Sequence, residues 1–200
     1  MRLRYENRKR KLLETAIHIV AEEGLGSFSM RKTTEQAGVS EALIYKHYES
    51  KENLLRVCFE TVSGEIRTLF SGVSAERDIS PEALPGSVHA LWTRIFSFFI
   101  SSGGHALFYF EYLNSRYSGG ELPFWLPLLL PSAAASRFQD PVLLWDFILD
   151  TTCCFARRII QGQIPDTPEI YDTVWKLISS GIFTPRTVRI PGAAGRFSAK

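Results

Sequence analysis

The chain has 200 residues, of which 45% are hydrophobic, and its 23 basic and 21 acidic residues leave a net charge of +2. That is the make-up of one medium domain or two small ones with a packed core, and it excludes an intrinsically disordered chain. No apolar run reaches the roughly 20 residues that span a bilayer, and the charged N-terminus has no apolar stretch of a secretion signal. Two of the 3 cysteines, Cys153 and Cys154, are adjacent, which makes no disulfide framework. A reduced, cytoplasmic setting with no membrane partner is expected.

Charge is unevenly placed. Arg2, Arg4, Arg8, Lys9, Arg10 and Lys11 crowd the first eleven residues against one acid, Glu6. A basic terminal arm of this kind seeks phosphate. Residues 7–23 then carry Leu13, Ala16, Ile17 and Val20 at helical spacing, with Gly24 to end the helix. Ser29 is placed to cap a short helix over 30–37, Gly38 to turn the chain, and Ser40 to cap a second short helix over 41–47. Ser50 is placed to cap a longer helix from Lys51 to about Leu69.

Beyond a polar stretch, Ser80-Pro81-Glu82 starts a further helix, with proline suited to the first turn. It runs through Val88, Leu91, Trp92, Ile95 and Phe99 to the Gly103-Gly104 break. His105 to Tyr117 reads as another helix. Residues 121–139 are interrupted by prolines and predict one irregular or short helix. Asp140-Pro141 repeats the cap-and-proline start for a helix to Ile160, and Thr167-Pro168 opens a last one to Phe183. Pro185, Pro191, Gly192 and Gly195 mark residues 184–200 as a mobile tail. With no strand or hairpin pattern, the expected fold is all-α with about nine helices.

Residues 29–54 hold the informative constellation, SMRKTTEQAGVSEALIYKHYESKENL. Two helices this short cannot bury themselves, so they must pack on the first helix through Ala37, Val39 and Ile44. The solvent side of the second would carry Glu41, Ala42, Leu43, Tyr45, Lys46 and His47, and a helix of this size fits the major groove of DNA.

The string A-G-V-S-x-x-x-I-Y-K-H-Y-x-S-K-E-x-L at residues 37–54 resembles the TetR family of transcription regulators. The resemblance is close over the first quarter of the chain and extends further only in helix number and length. It implies an N-terminal helix-turn-helix domain over 1–50 and a helical ligand-binding and dimerisation domain over 51–183. It implies that Arg31 touches the DNA backbone or a base, that Ser40, Glu41, Ala42 and Leu43 front the recognition helix, and that Tyr45 and His47 contact phosphates and bases. Lys51 corresponds to a lysine that meets a phosphate at a helix start. Thr33 and Thr34 stand where the family has an apolar and a small residue, and Ala42-Leu43 replaces a Gly-Thr or Gly-Ser pair.

Helix 141–160 is apolar nearly all round, through Val142, Leu143, Leu144, Trp145, Phe147, Ile148, Leu149, Cys153, Cys154, Phe155, Ile159 and Ile160. Such a helix needs cover on both sides. With helix 168–183 it predicts a homodimer interface, and two-fold symmetry suits a pseudo-palindromic double-stranded operator. Residues 92–125 are dense in aromatics, and helical bundles place ligand pockets among such side chains. Trp92, Phe96, Phe99, Phe108, Tyr112, Trp125 and Trp145 are the candidate lining for an unidentified small-molecule effector.

No nucleotide-binding glycine loop, zinc-protease or serine-hydrolase motif is present. His18, His47, His89 and His105 are scattered without metal-ligand spacing. No enzyme, cofactor or metal is expected. The function expected is a ligand-responsive DNA-binding regulator, a repressor released from its operator by a small molecule. The alternatives are a relative that binds ligand or protein without DNA, and a helical enzyme using a carboxylate pair such as Asp146 and Asp150.

Overall fold

The computed structural model describes residues 2–70, 84–120, 123–125 and 140–183. Among them are eight α-helices and one short 3-10 turn: α1 (Arg2–Glu23), α2 (Met30–Ala37), α3 (Glu41–Tyr48), α4 (Lys51–Thr68), α5 (Leu84–Ser102), α6 (Gly104–Leu113), the 3-10 turn Arg116–Ser118, α7 (Pro141–Ile160) and α8 (Pro168–Phe183). The all-α expectation holds. The expected tail over 184–200, most of the irregular stretch 121–139 and the Ser80-Pro81-Glu82 start lie outside the described residues.

Local chemistry sets most of the boundaries. Ser29 Oγ accepts the Lys32 amide at 3.2 Å and Ser50 Oγ accepts the Asn53 amide at 3.1 Å, each satisfying one free donor of a helix start. Asp140 Oδ1 accepts the amides of Val142 and Leu143. Gly38, at φ 66°, ends α2 in the left-handed region that a side chain disfavours.

Three boundaries differ from expectation. The basic arm is helical from Arg2, as its helix-forming arginines, lysines and leucine allow. Ser40 holds the N-cap position of α3 but its side chain makes no capping bond. α6 stops at Leu113 rather than reaching Tyr117, because Ser115 competes for the backbone: its hydroxyl donates to the Tyr112 carbonyl at 2.7 Å and accepts the Tyr117 amide at 3.1 Å.

The buried side chains form one contiguous cluster from Leu12 on α1 to Ile178 on α8. α1 packs on α2, α4 and α6, and α6 in turn meets α4, α5 and α7. α6 meets α1 near Gly104, where a Cβ would make ordinary van der Waals contact with that of Ala21 at 3.9 Å. α5 lies against α7 and α8. There Trp92 Nε1 donates to the buried Thr152 hydroxyl at 3.0 Å, which satisfies the indole N–H that burial would otherwise strand.

A candidate nucleic-acid interface and a cavity above it

α2 and α3 are anchored by what they bury. Met30, Thr33, Thr34 and Ala37 of α2 and Ile44 and Tyr48 of α3 face the core. The two threonines sit there without polar penalty: Thr33 Oγ1 donates to the Ser29 carbonyl at 2.9 Å and Thr34 Oγ1 to that of Arg31 at 2.8 Å. Thr33 is 0% and Thr34 2% exposed, so α2 packs fully despite the departure from the family pattern.

With Ile44 and Tyr48 turned inward, helical periodicity turns the rest of α3 outward. Glu41, Ala42, Tyr45 and Lys46 are exposed, and Tyr45 keeps 50% of its surface in solvent. Leu43 and His47 are half-buried and border a narrow cleft with Arg8, Lys9 and Leu12 of α1. Arg8 and Lys9 therefore flank α3, a placement that the sequence leaves invisible because it depends on how α1 crosses α3.

Arg31 is exposed on α2, its Nε 2.8 Å from Glu35 Oε1. That hydrogen bond and the charges of Glu35 and Glu41 raise its pKa further. Ser40 is exposed at the front of α3. The chain reaches α4 through Glu49, whose φ of 58° is the one positive value outside glycine among the described residues. A two-residue link held in this strained conformation fixes how α3 leaves α4.

Lys51, which the resemblance implies meets a phosphate, makes its described contacts within the chain. Its ammonium donates to the Phe28 carbonyl at 2.9 Å and to that of Leu25 at 3.5 Å. The same group sits 5.4 Å from the Phe28 ring centre and 5.9 Å from that of Tyr117. The lysine thus ties the loop between α1 and α2 to the start of α4.

Above this head, α4, α6 and the 3-10 turn enclose a cavity of about 500 Å³. α4 contributes Arg56, Phe59, Glu60, Ser63, Gly64 and Arg67, and α6 contributes Tyr109, Tyr112 and Leu113. Tyr117, Ser118, Gly119, Pro123 and Phe124 complete the described wall. Phe59 stacks on both tyrosines, with ring centres 5.0 Å from Tyr109 and 4.4 Å from Tyr112. Burial pushes the Tyr109 phenol up from its usual range.

Of the expected effector-lining residues, Tyr112 borders this cavity. Phe99, Phe108 and Trp125 are fully buried in the packing around it, with Trp125 Nε1 donating to Tyr109 Oη at 3.3 Å. Trp92 and Phe96 are also fully buried, beneath a more open hollow of about 410 Å³ whose wall includes His89 and Tyr171. Trp92 lies 6.4 Å from the His89 ring and Phe96 4.9 Å from that of Tyr171. The side chain of Trp145, on α7, lies outside the described residues. The α4 residues of the wall, Arg56, Glu60 and Arg67 among them, were not among the residues the sequence singled out.

α7 divides into two faces. Leu144, Ile148, Thr152, Ala156 and Ile159 are buried, while Val142 (48%), Leu143 (67%) and Phe147 (46%) stand exposed, as does Leu177 of α8 (51%). All three thiols are free, those of Cys58 and Cys153 buried and that of Cys154 exposed. No described helix is long and apolar enough to cross a membrane.

Residues 12–58 match the family described as bacterial regulatory proteins, tetR family. Among solved structures the chain is similar to a TetR family transcription regulator from Marinobacter aquaeolei VT8, at 20% identity over 91% of this chain and 98% of that one, with a TM-score of 0.70. It is similar to the transcriptional regulator FadR from Bacillus subtilis in complex with stearoyl-CoA, at 20% identity over 87% and 99% of the two chains, TM-score 0.65. The fatty acid degradation regulator FadR from Bacillus halodurans aligns at 17% identity over 89% and 97%, TM-score 0.63. At these identities the likeness is one of fold. No match was found among curated protein sequences.

Proposed function

From the match of residues 12–58 to the tetR family of bacterial regulatory proteins and the likeness in fold to TetR-family transcription regulators, we propose that the chain is a dimeric, ligand-responsive, DNA-binding regulator of transcription. One observation carries the reading. Ile44 and Tyr48 fix α3 to the core, and the opposite face, with Ala42, Tyr45 and Lys46, stands clear for a major groove.

Tyr45 and Lys46 reach base edges and phosphates from that face, with Ser40, Glu41 and Ala42 at its front and Leu43 and His47 along its side. Arg31, Arg8 and Lys9 supply flanking positive charge for the backbone. Lys51 acts by holding the α1–α2 loop rather than by meeting a phosphate. This division of labour makes residues 1–50 the DNA-binding part and 51–183 the sensing and dimerising part.

The exposed Leu143, Phe147 and Leu177 support a homodimer through α7 and α8, which would set two recognition helices on a pseudo-palindromic operator. The cavity between α4 and α6 adjoins Tyr117, which touches Lys51, so an occupant there could shift the DNA-reading head. Release of a repressor by such an occupant is a population shift between two head spacings. The relative crystallised with stearoyl-CoA supports ligand response as the mode of control. The reading of a relative without DNA binding loses its motive, because Thr33 and Thr34 pack α2 without an unpaired polar group.

The test is capture of genomic fragments from the source organism by the purified chain at low salt. Retained fragments sharing a two-fold-related site, with affinity falling steeply as salt rises, are the expected result. Retention of no fragment would refute the reading.

A further inference from the structure

The cavity between α4 and α6 has a chemical character that its residues define. Its described wall holds three charged side chains, Arg56, Glu60 and Arg67. Arg56 forms an ion pair with Glu60 and donates a further hydrogen bond to Asn53 Oδ1 at 2.8 Å, so those two charges answer each other. Arg67 forms no ion pair among the described residues, and its guanidinium lies 4.4 Å from the centre of the Phe124 ring. Among the described residues of the wall it is the one positive charge without a carboxylate partner.

Between the two arginines the described wall is aromatic. Phe59 and Phe124 are half-buried there, and the buried Tyr109 and Tyr112 stack against Phe59. Ser63, 8% exposed, has a buried hydroxyl near Tyr109 but outside hydrogen-bond geometry with any described group. A buried hydroxyl without a partner is unfavourable unless something else satisfies it. Gly64 lies mid-way along α4 at ordinary helical φ, where glycine is a poor helix former. A Cβ there would meet nothing within 4 Å. No backbone geometry calls for this glycine; its effect is to deepen the cavity. At about 500 Å³ the space lies within the roughly 300–1,000 Å³ of small-molecule sites.

We propose that this cavity takes an amphipathic anion, with an apolar body packed against the half-buried Phe59 and Phe124 and an acidic group met by Arg67. The inference rests on the reading of the cavity as the effector site and goes further by naming the class of ligand. Ser63 donates to a polar atom along the ligand's edge. The planar guanidinium suits a carboxylate, sulfonate or phosphate oxygen, and its contact with the Phe124 ring places it at the exposed mouth of the cavity.

A matched pair of probes tests this on the whole protein. 1-Anilinonaphthalene-8-sulfonate and N-phenyl-1-naphthylamine share a ring system, and only the first carries an acidic group. Fluorescence titration should give saturable binding of the sulfonate at one per chain, about tenfold tighter than the neutral amine, the effect of one charge-assisted contact. Arg67→Gln should remove that advantage and leave the amine unchanged. Gly64→Leu, which fills the cavity from a position with open space, should abolish binding of both while the helical circular dichroism is retained. Equal binding of the two probes, indifference to Arg67→Gln, survival of binding in Gly64→Leu, or no saturable binding at all would each overturn the proposal. Because the readout needs no DNA, failure here is distinct from failure of the operator capture, which defeats the regulator reading alone.

Discussion

The ammonium of Lys51 donates to the backbone carbonyl of Phe28 at 2.9 Å, joining the first turn of α4 to the loop that leads into α2. Ser29, the next residue, caps α2. The position of the α2–α3 pair is therefore coupled to the start of the helix that also forms one wall of the cavity.

Removing that ammonium should loosen the head rather than remove a phosphate contact. Lys51→Met is expected to cost about 1–2 kcal/mol in stability, the scale of a partly buried charged hydrogen bond. It should weaken DNA binding evenly across sequences while the slope of log affinity against log salt stays unchanged. Fluorescence anisotropy across a salt series decides it, since loss of a phosphate contact would lower that slope by about one. Lys46→Ala, which removes an exposed cation on α3, should lower it.

His105 of α6 sits between two carboxylates, with Nδ1 2.9 Å from Glu65 Oε2 on α4 and Nε2 3.0 Å from Glu14 Oε2 on α1. Both ring nitrogens can donate only in the imidazolium form. Burial lowers the imidazole pKa, but the hydrogen bonds and charges of Glu65 and Glu14 outweigh it and the net shift is upward from 6.5. A raised folded-state pKa means that the stabilisation is complete below the unfolded value and is lost as pH rises through the folded one. Wild-type stability should thus fall on going from pH 6 to alkaline conditions, and His105→Leu should flatten that dependence. Denaturant melts at several pH values measure both, and parallel curves for the two proteins would contradict the clamp.

Thr152 accepts the Trp92 indole N–H where both residues are fully buried. Thr152→Val keeps the shape but strands the donor, and should destabilise the protein by about 1–3 kcal/mol. Thr152→Ser keeps the acceptor and should recover most of that loss. Equal effects of the two substitutions in thermal melts would show that packing, not the hydrogen bond, governs the site.

Leu143 and Phe147 are too exposed for a helix whose other face is core. The Leu143→Glu, Phe147→Glu double variant should sediment as a single 22.6 kDa chain where the parent sediments as a dimer. DNA binding should weaken with it, because two half-sites are no longer gripped together. A wild-type monomer at micromolar concentration would remove this interface from consideration.

Most helix boundaries were legible because they depend on local chemistry. Ser29, Gly38, Ser50 and Asp140-Pro141 act through atoms within a few residues of themselves, so a linear pattern reveals them. Ile44, the apolar residue expected to pack on the first helix, likewise announced which side of α3 would face in. The α6 stop was misread because Ser115, an inconspicuous residue in sequence, diverts two backbone groups at once.

What the sequence by itself determined was the all-α class, most of the described helices and the caps at Ser29, Ser50 and Asp140, all governed by short-range periodicity and local hydrogen bonding. The tertiary structure alone decided which charges stand near one another. It set Arg8 and Lys9 beside α3, turned Lys51 inward to Phe28, placed His105 between Glu14 and Glu65, and added a wall from α4 to a cavity whose lining had been expected from the aromatic-rich stretch 92–125 and Trp145. Those outcomes depend on how helices cross, and contacts between residues 23 to 91 positions apart leave no local trace in the chain.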